Sequence, residues 1–377
     1  MRVCFLSSMH PPLDKRVFEK EAKTLARAGY EVVHLAPDES ADRVVDGVQI
    51  RTYRKPRGIQ ERLFALPALY KRARAIDADV YHCNELDSFV VGVALRRLAG
   101  RKCVLDVHEF FAHDFAENHA PAWLSPVVRR AMAFAVRTLA RHAQAVVLAN
   151  AALGEDYRHL PAERIVLAEN FGATASFEGP PRMASRQPPF TIVHMGYFGD
   201  SRGADKILDA LDLAAHKDVE LVCLGTFTGT SEAAFRERVS RHQLDGRVRL
   251  IPWLPQAEAF RLLRSADIGL ILFQPGLYAH IHALPHKLFD YMAAELAVIA
   301  PQISRRIGAI LEDAQCGVLV DSTSPASIAA AIDSLCDDPA QLQRMGANGR
   351  AAVIRRYNWE CEVPALLAAY RALERTA

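Results

Sequence analysis

Short strand-like runs alternate with helical stretches along this chain, and the alternation runs twice. In the first half, apolar and β-branched runs fall at residues 2–6, 31–36, 48–53, 80–82, 103–107, 145–148 and 164–168, with helical periodicity between several of them, as at 16–28 and 127–142. Gly29 stands where a helix-terminating glycine belongs. Strands separated by helices make βαβ units and a parallel sheet. Residues 176–189, SFEGPPRMASRQPP, read as a linker because Pro, Ser and Gly break regular structure. The pattern then restarts, with strands at 191–195, 220–224, 248–251, 268–273, 298–300 and 318–320, and ends in helices at 325–336, 339–355 and 361–374. The expected architecture is therefore α/β, two Rossmann-like, doubly wound parallel-sheet domains facing a central cleft. A length of 377 residues, long for one core, agrees. The expected divisions are 1–175, a linker at 176–189, 190–356, and a terminal segment at 357–377. Ligands of such sheets bind beyond the carboxyl ends of the strands, so residues directly after strands are the site candidates.

Composition excludes several classes. A formal charge of +2 is too small to imply nucleic acid as a partner. Seven scattered cysteines without a CxxC pair suit buried thiols in a reducing compartment, not a zinc site or a disulfide framework. The opening MRVCFLSS is too short for a signal peptide, and no apolar run reaches membrane-spanning length. The expectation is a cytoplasmic protein, with contact to the inner face of the membrane left open. Two basic segments, 51–74 and 123–142, suit either anionic headgroups or an ordinary solvated helix face.

Four strand ends carry chemistry. In PHKLFDYMAAELAVIA, residues 285–300, Pro285 opens a helix, Lys287 sits in its first turn, and Asp290 follows on the same face. A helix N-terminus with a lysine binds anions, and a carboxylate one turn deeper accepts from a sugar diol, the order that suits a nucleoside diphosphate. A solvated Lys–Asp pair is the alternative. The loop from Gly196 to Gly203 brings backbone N–H groups, Arg202 and the start of a helix at 204–214 together as a pyrophosphate cradle, or as a plain strand–helix turn. Its spacing is neither a Walker loop nor a dinucleotide fingerprint. His108 and Glu109 follow the strand at 103–107, where a histidine meets a sugar or a reacting centre, or is merely structural. Asn84, Glu85 and Asp87 follow the strand at 80–82, where helix capping is favoured over acceptor binding. After the first strand, Asp14 reads as a helix cap, with His10 and Arg16 directed to the cleft. His280 and His282, ahead of Pro285, suit sugar contacts better than metal.

Taken in order, these segments resemble the bacterial GT-B glycosyltransferases of the large retaining, glycan-building family 4. The residues DKRVFEKEA at 14–22 are similar to its "D-x-R-[IV]-x-x-E-A" helix, LDVHEFF at 105–111 to its "Y-D-x-H-E-x-F" strand end, and 196–203 to its "G-x-x-x-x-x-[KR]-G" loop. The segment 285–300 resembles "P-x-K-L-F-E-Y-M-A-A-G-x-P-V-I-A". The resemblance implies a metal-independent, nucleotide-sugar-dependent transferase with no cofactor, whose UDP- or GDP-type sugar nucleotide is a substrate. It places Gly196, Arg202, Gly203, Trp253, His282, Lys287, Leu288 and Asp290 on the nucleotide, with His108, Arg202 and Lys287 catalytic. His10, Asp14, Arg16, Asn84, Glu85 and Glu109 fall on the side of a glycan or lipid-linked acceptor, and the last helix is expected to pack back on the first domain. The implied role is surface polysaccharide synthesis. Departures mark this chain: His282 and Asp290 replace two glutamates, Glu295 and Ala297 replace Gly and Pro, Tyr197 replaces a common arginine, and His10-Pro-Pro replaces a glycine-rich loop. A sugar-nucleotide epimerase and a catalytically silent scaffold of a glycan-assembly complex are the competing readings. A nicotinamide dehydrogenase is disfavoured, since no GxGxxG follows the first strand.

Overall fold

A computed structural model of the protein describes residues 1–177, 188–229 and 231–375. Of the expected linker 176–189, residues 178–187 lie outside the described residues. The chain divides into two compact units, Met1–Asn170 with Trp359–Ala377, and Phe171–Asn358.

The first unit is built on eight strands: β1 (Arg2–Leu6), β2 (Glu31–Pro37), β3 (Arg43–Val45), β4 (Val48–Tyr53), β5 (Val80–Cys83), β6 (Lys102–Val107), β7 (Ala145–Leu148) and β8 (Ile165–Leu167). Their order is β3-β4-β2-β1-β5-β6-β7-β8. All pairings are parallel except β3 with β4. Val3, Cys4, Phe5 and Leu6 of β1 are wholly buried, which is why the central strand reads as an unbroken apolar run. β3 escapes the sequence reading because it is only three residues long. Its signal was the Asp46-Gly47 turn, where both residues have positive φ, as a two-residue hairpin requires. The helix Trp359–Arg375 belongs to this unit. Trp359 Nε1 donates to Thr24 Oγ1 at 2.9 Å, the Tyr370 hydroxyl lies 2.6 Å from His82 Nδ1, and Glu362 accepts from the Glu169 amide at 2.9 Å.

The second unit has six parallel strands: β9 (Thr191–Phe198), β10 (Glu220–Phe227), β11 (Val248–Ile251), β12 (Ile268–Leu270), β13 (Ala297–Pro301) and β14 (Gly317–Val320). Their order is β11-β10-β9-β12-β13-β14. Apolar residues cover both faces of the sheet, again as parallel sheets demand. The helix His286–Ala293 buries Leu288, Phe289, Tyr291, Met292 and Ala293. Tyr291 fixes its position: the Met195 amide of β9 donates to the phenol oxygen at 2.7 Å. A Cβ on Gly269 of β12 would lie 2.4 Å from the Tyr291 ring, so only glycine lets the helix come this close. Its outer face, with Lys287 and Asp290, is thereby held against the end of β9.

Candidate functional site

Each sheet has one point where the chain reverses its winding, and there a crevice opens beyond the strand ends. In the first unit it lies between β1 and β5, in the second between β9 and β12. Both candidate clusters sit at these points.

In the second unit, the β9 end brings Gly196, Arg202 and Gly203 into one region with Lys287. Gly196 has φ +106°, and a Cβ there would lie 3.4 Å from Lys287 Nζ, so the ammonium rests over bare backbone. Gly203, also at positive φ, is the cap from which the helix Ala204–Leu213 starts. The Arg202 guanidinium covers the Phe273 ring at 4.6 Å, and His280 stacks on that ring at 4.7 Å. Lys287 Nζ also lies 3.3 Å from Nε2 of the buried His194, which in turn is 3.0 Å from the Tyr197 carbonyl. Burial, then the charge of Arg202, lowers the Lys287 ammonium to about 7, with Asp290 opposing. Burial lowers Arg202 as well, and burial and Lys287 hold His194 neutral. Two basic groups thus approach one another, with the Asp290 carboxylate favouring the charged form of Lys287.

Other assignments in this unit come out differently. The Leu288 side chain is wholly buried in the core, which leaves only its backbone in the first helical turn to face a nucleotide. Helical geometry explains this, since a residue next to Lys287 points about 100° away from it. Trp253 is exposed beside the equally exposed Tyr197, their rings meeting edge to face at 6.2 Å. His282 rests its ring on Tyr278 at 4.7 Å. His194 and Phe273 were not singled out from the sequence, because both lie inside apolar runs that read simply as strand.

The first unit places two histidine–carboxylate pairs side by side. His108 Nδ1 lies 3.3 Å from Asp106 Oδ2, and His10 Nδ1 lies 2.6 Å from Glu85 Oε1. The two imidazoles meet edge to face, 4.7 Å between centroids. Asp106 was missed as a functional residue, although it stands two residues before His108 on the same strand face. Glu109 is exposed beside His108. Asp14 caps the following helix, accepting from the Arg16 and Val17 amides at 2.7 and 2.9 Å.

Three acceptor-side assignments are corrected. Arg16 is 4 % exposed and grips Asp106 with two bonds, of 3.1 and 2.8 Å, while also reaching Glu21 at 2.9 Å and the Ala168 carbonyl at 3.0 Å. Asn84 is fully buried and donates to Ser7 Oγ at 2.8 Å. Glu85 does not reach outward: its carboxylate accepts from the amides of Ser8, Met9 and His10. Glu85 is itself the N-cap of the helix Leu86–Ala99: its amide donates to Ser88 Oγ in a capping box, while Ser88 N donates to Asp87. Glu21, His82 and Asp106 cluster as tightly as metal ligands do, but the cation among them is the Arg16 guanidinium. Burial pushes Glu21 well up, while Arg16 and His108 overcome burial to hold Asp106 well below the usual carboxylate range.

Two family models match the chain: "Glycosyl transferase 4-like domain" over residues 15–170 and "Glycosyl transferases group 1" over residues 180–352. A D-inositol 3-phosphate glycosyltransferase of Segniliparus rotundus is 27 % identical over 185 residues, 48 % of this chain and 39 % of that protein. Among solved structures, sucrose-phosphate synthase of Thermosynechococcus elongatus superimposes with a TM-score of 0.78 at 16 % identity, covering 100 % of both chains. HepE of Anabaena, solved with UDP-glucose, gives 0.75 at 14 % identity, covering 99 % of this chain and 100 % of that one. The chain belongs to the GT-B glycosyltransferases and, among them, resembles family 4.

Arg16→Met leaves Asp106 buried without its guanidinium partner, with His108 as its remaining charged neighbour. It should cost about 3–5 kcal/mol in denaturant unfolding, as for other broken buried pairs. A variant of unchanged stability and weakened acceptor affinity would return Arg16 to the acceptor side.

Proposed function

We propose that this protein transfers a sugar, with retention, from a nucleoside-diphosphate sugar to a hydroxyl of a glycan or lipid-linked acceptor in surface polysaccharide synthesis. The observation that carries the proposal is the Lys287–Arg202 pair beside Gly196, where burial and the Arg202 charge lower an ammonium that an anionic ligand would restore. The relative solved with UDP-glucose supports a sugar nucleotide as donor. In this reading the two cations hold the diphosphate, Asp290 takes the ribose hydroxyls, and the exposed Tyr197–Trp253 pair stacks on the base. As the bond to the anomeric carbon breaks, negative charge grows on the departing phosphate oxygen. Fixed cations stabilise that charge in place of a divalent metal. His108, oriented by Asp106, serves the reacting sugar, and the first unit receives the acceptor. No carboxylate is assigned as a nucleophile, which suits retention without a covalent intermediate.

Arg202→Ala and Lys287→Ala should each lower transfer at least about 100-fold, the scale of a lost charge-stabilising donor, with the fold intact by circular dichroism and activity insensitive to EDTA. UDP or GDP should raise the melting temperature of the wild type and not of the variants. Near-normal turnover in both variants overturns the phosphate role. Consumption of a UDP-sugar without acceptor favours the epimerase, and no response to any nucleoside diphosphate favours the scaffold.

The reading extends to an anionic membrane surface, through the segment 123–142. Among the described residues, no helix is long and apolar enough to cross a membrane. On the helix Ser125–Ala140 and its entry, Trp123, Val127 and Phe134 are 80, 59 and 74 % exposed. Helical spacing puts Arg130, Arg137 and Arg141 along the same stripe, and residues 118–154 contain no Asp or Glu. The other basic segment is weaker, because Arg62 is paired with Asp87 and Arg54 with Glu61. The protein should co-sediment with vesicles containing phosphatidylglycerol and not with neutral phosphatidylcholine, and Trp123→Ala with Phe134→Ala should reduce binding at least tenfold. Equal binding to both vesicles contradicts this surface.

A further inference from the structure

We propose that Glu85 is a positioning residue that holds His10 as a permanent cation beside His108, adding a charged hydrogen-bond donor for a substrate oxygen. The inference deepens the transferase reading, on which its activity test rests.

The geometry starts from the carboxylate. Glu85 follows β5, and the loop it binds follows β1, the neighbouring strand at the winding reversal. Oε2 accepts from the Ser8 amide at 2.9 Å, and Oε1 accepts from the Met9 and His10 amides at 2.9 and 3.0 Å and from His10 Nδ1 at 2.6 Å. Four donors converge on a side chain only 7 % exposed. A neutral acid carries a proton of its own and is poorly matched to four donors, so this arrangement selects the ionised form. A buried anion in turn needs a compensating charge, and among these donors only the imidazole can supply one.

The groups around His10 reinforce the choice. Glu85 comes from the end of β5, Asp14 from the loop after β1, and Glu109 from the loop after β6. Burial disfavours the charged ring, but Glu85, then Asp14 and Glu109, outweigh it and raise His10 to about 9. Burial works against Glu85 too, and His10 with the loop amides brings it down to about 2. Two further neighbours among the described residues are histidines. His34 of β2 is buried and neutral, pushed by burial to about 4, with Nδ1 on the Pro12 carbonyl and Nε2 on Ser7 Oγ. His108 sits edge to face at 4.7 Å with its Nδ1 on Asp106. In both His10 and His108 the Nδ1 atom is committed to a carboxylate, which leaves Nε2 of each ring for a ligand. A protonated Nε2–H on His10 suits an oxygen acceptor, either a sugar hydroxyl or an anionic oxygen. Glu85 acts only through His10, and the histidine is the group that meets substrate.

Two readouts test this. Side-chain nitrogen NMR of the ¹⁵N-histidine-labelled wild type should show His10 protonated at pH 8. An ordinary midpoint near about 6.5 overturns the proposal, whatever the protein's activity. In Glu85→Gln, His10 should return to that ordinary range, so the variant-to-wild-type ratio of transfer rates should fall by roughly 20-fold between pH 6 and pH 8, the change in protonated fraction of an unperturbed imidazole. Taking the ratio cancels the titration of Lys287. A ratio equally low at both pH values shows a merely structural Glu85 and overturns the positioning role. A charged His10 in a protein that transfers no sugar sinks the transferase reading and leaves the ion pair standing.

Discussion

The second unit depends on an ammonium group that its surroundings resist. Lys287 lies over Gly196, near the Arg202 charge and against a neutral His194, with Asp290 as its counterweight. Burial and the Arg202 charge oppose protonation of Lys287 more strongly than Asp290 favours it. The surrounding structure holds the lysine there. Tyr291 ties the helix to β9, and Gly269 lets its ring pack against β12.

The first unit follows the opposite rule, in that its buried charges come with partners. Arg16 lies between Asp106 and Glu21, and Glu85 gathers three amides and an imidazole. Buried ion pairs add little net stability, yet removing one member costs much. They fix orientation instead. Asp106 carries both the Arg16 fork and the His108 ring, so the β6 end is tied to the helix that begins after β1. The same network extends through His82 to Tyr370 of the last helix.

Much of this was legible in the sequence, for definable reasons. Buried parallel strands show as apolar runs, and the Gly196–Gly203 and Pro285 segments announce themselves through glycine, proline and charge. What stayed hidden was pairing across sequence distance. Arg16 looked like a cleft residue because Asp106 is 90 residues away, and the carboxylate of the helix-capping Glu85 looked like an acceptor contact because its four donors come from residues 8–10. Leu288 was placed with the nucleotide because a motif match does not say which way each side chain faces. Glu295, where the resembled motif has glycine, has a positive φ of 63°. A left-handed conformation costs a non-glycine residue roughly 1–2 kcal/mol, and here Arg350 stands 3.6 Å from the carboxylate.

On the proposed reading, Lys287 gains a proton when the anionic nucleotide binds. Calorimetry of UDP binding at pH 8, repeated in buffers of different ionisation enthalpy, measures this directly. With the free ammonium at about 7, most Lys287 is neutral at that pH. A bound diphosphate favours the charged form, so roughly 0.8–0.9 proton should be taken up per UDP, affinity should weaken as pH rises above 7, and the uptake should vanish in Lys287→Arg. UDP binding with no proton uptake in the wild type would contradict the account.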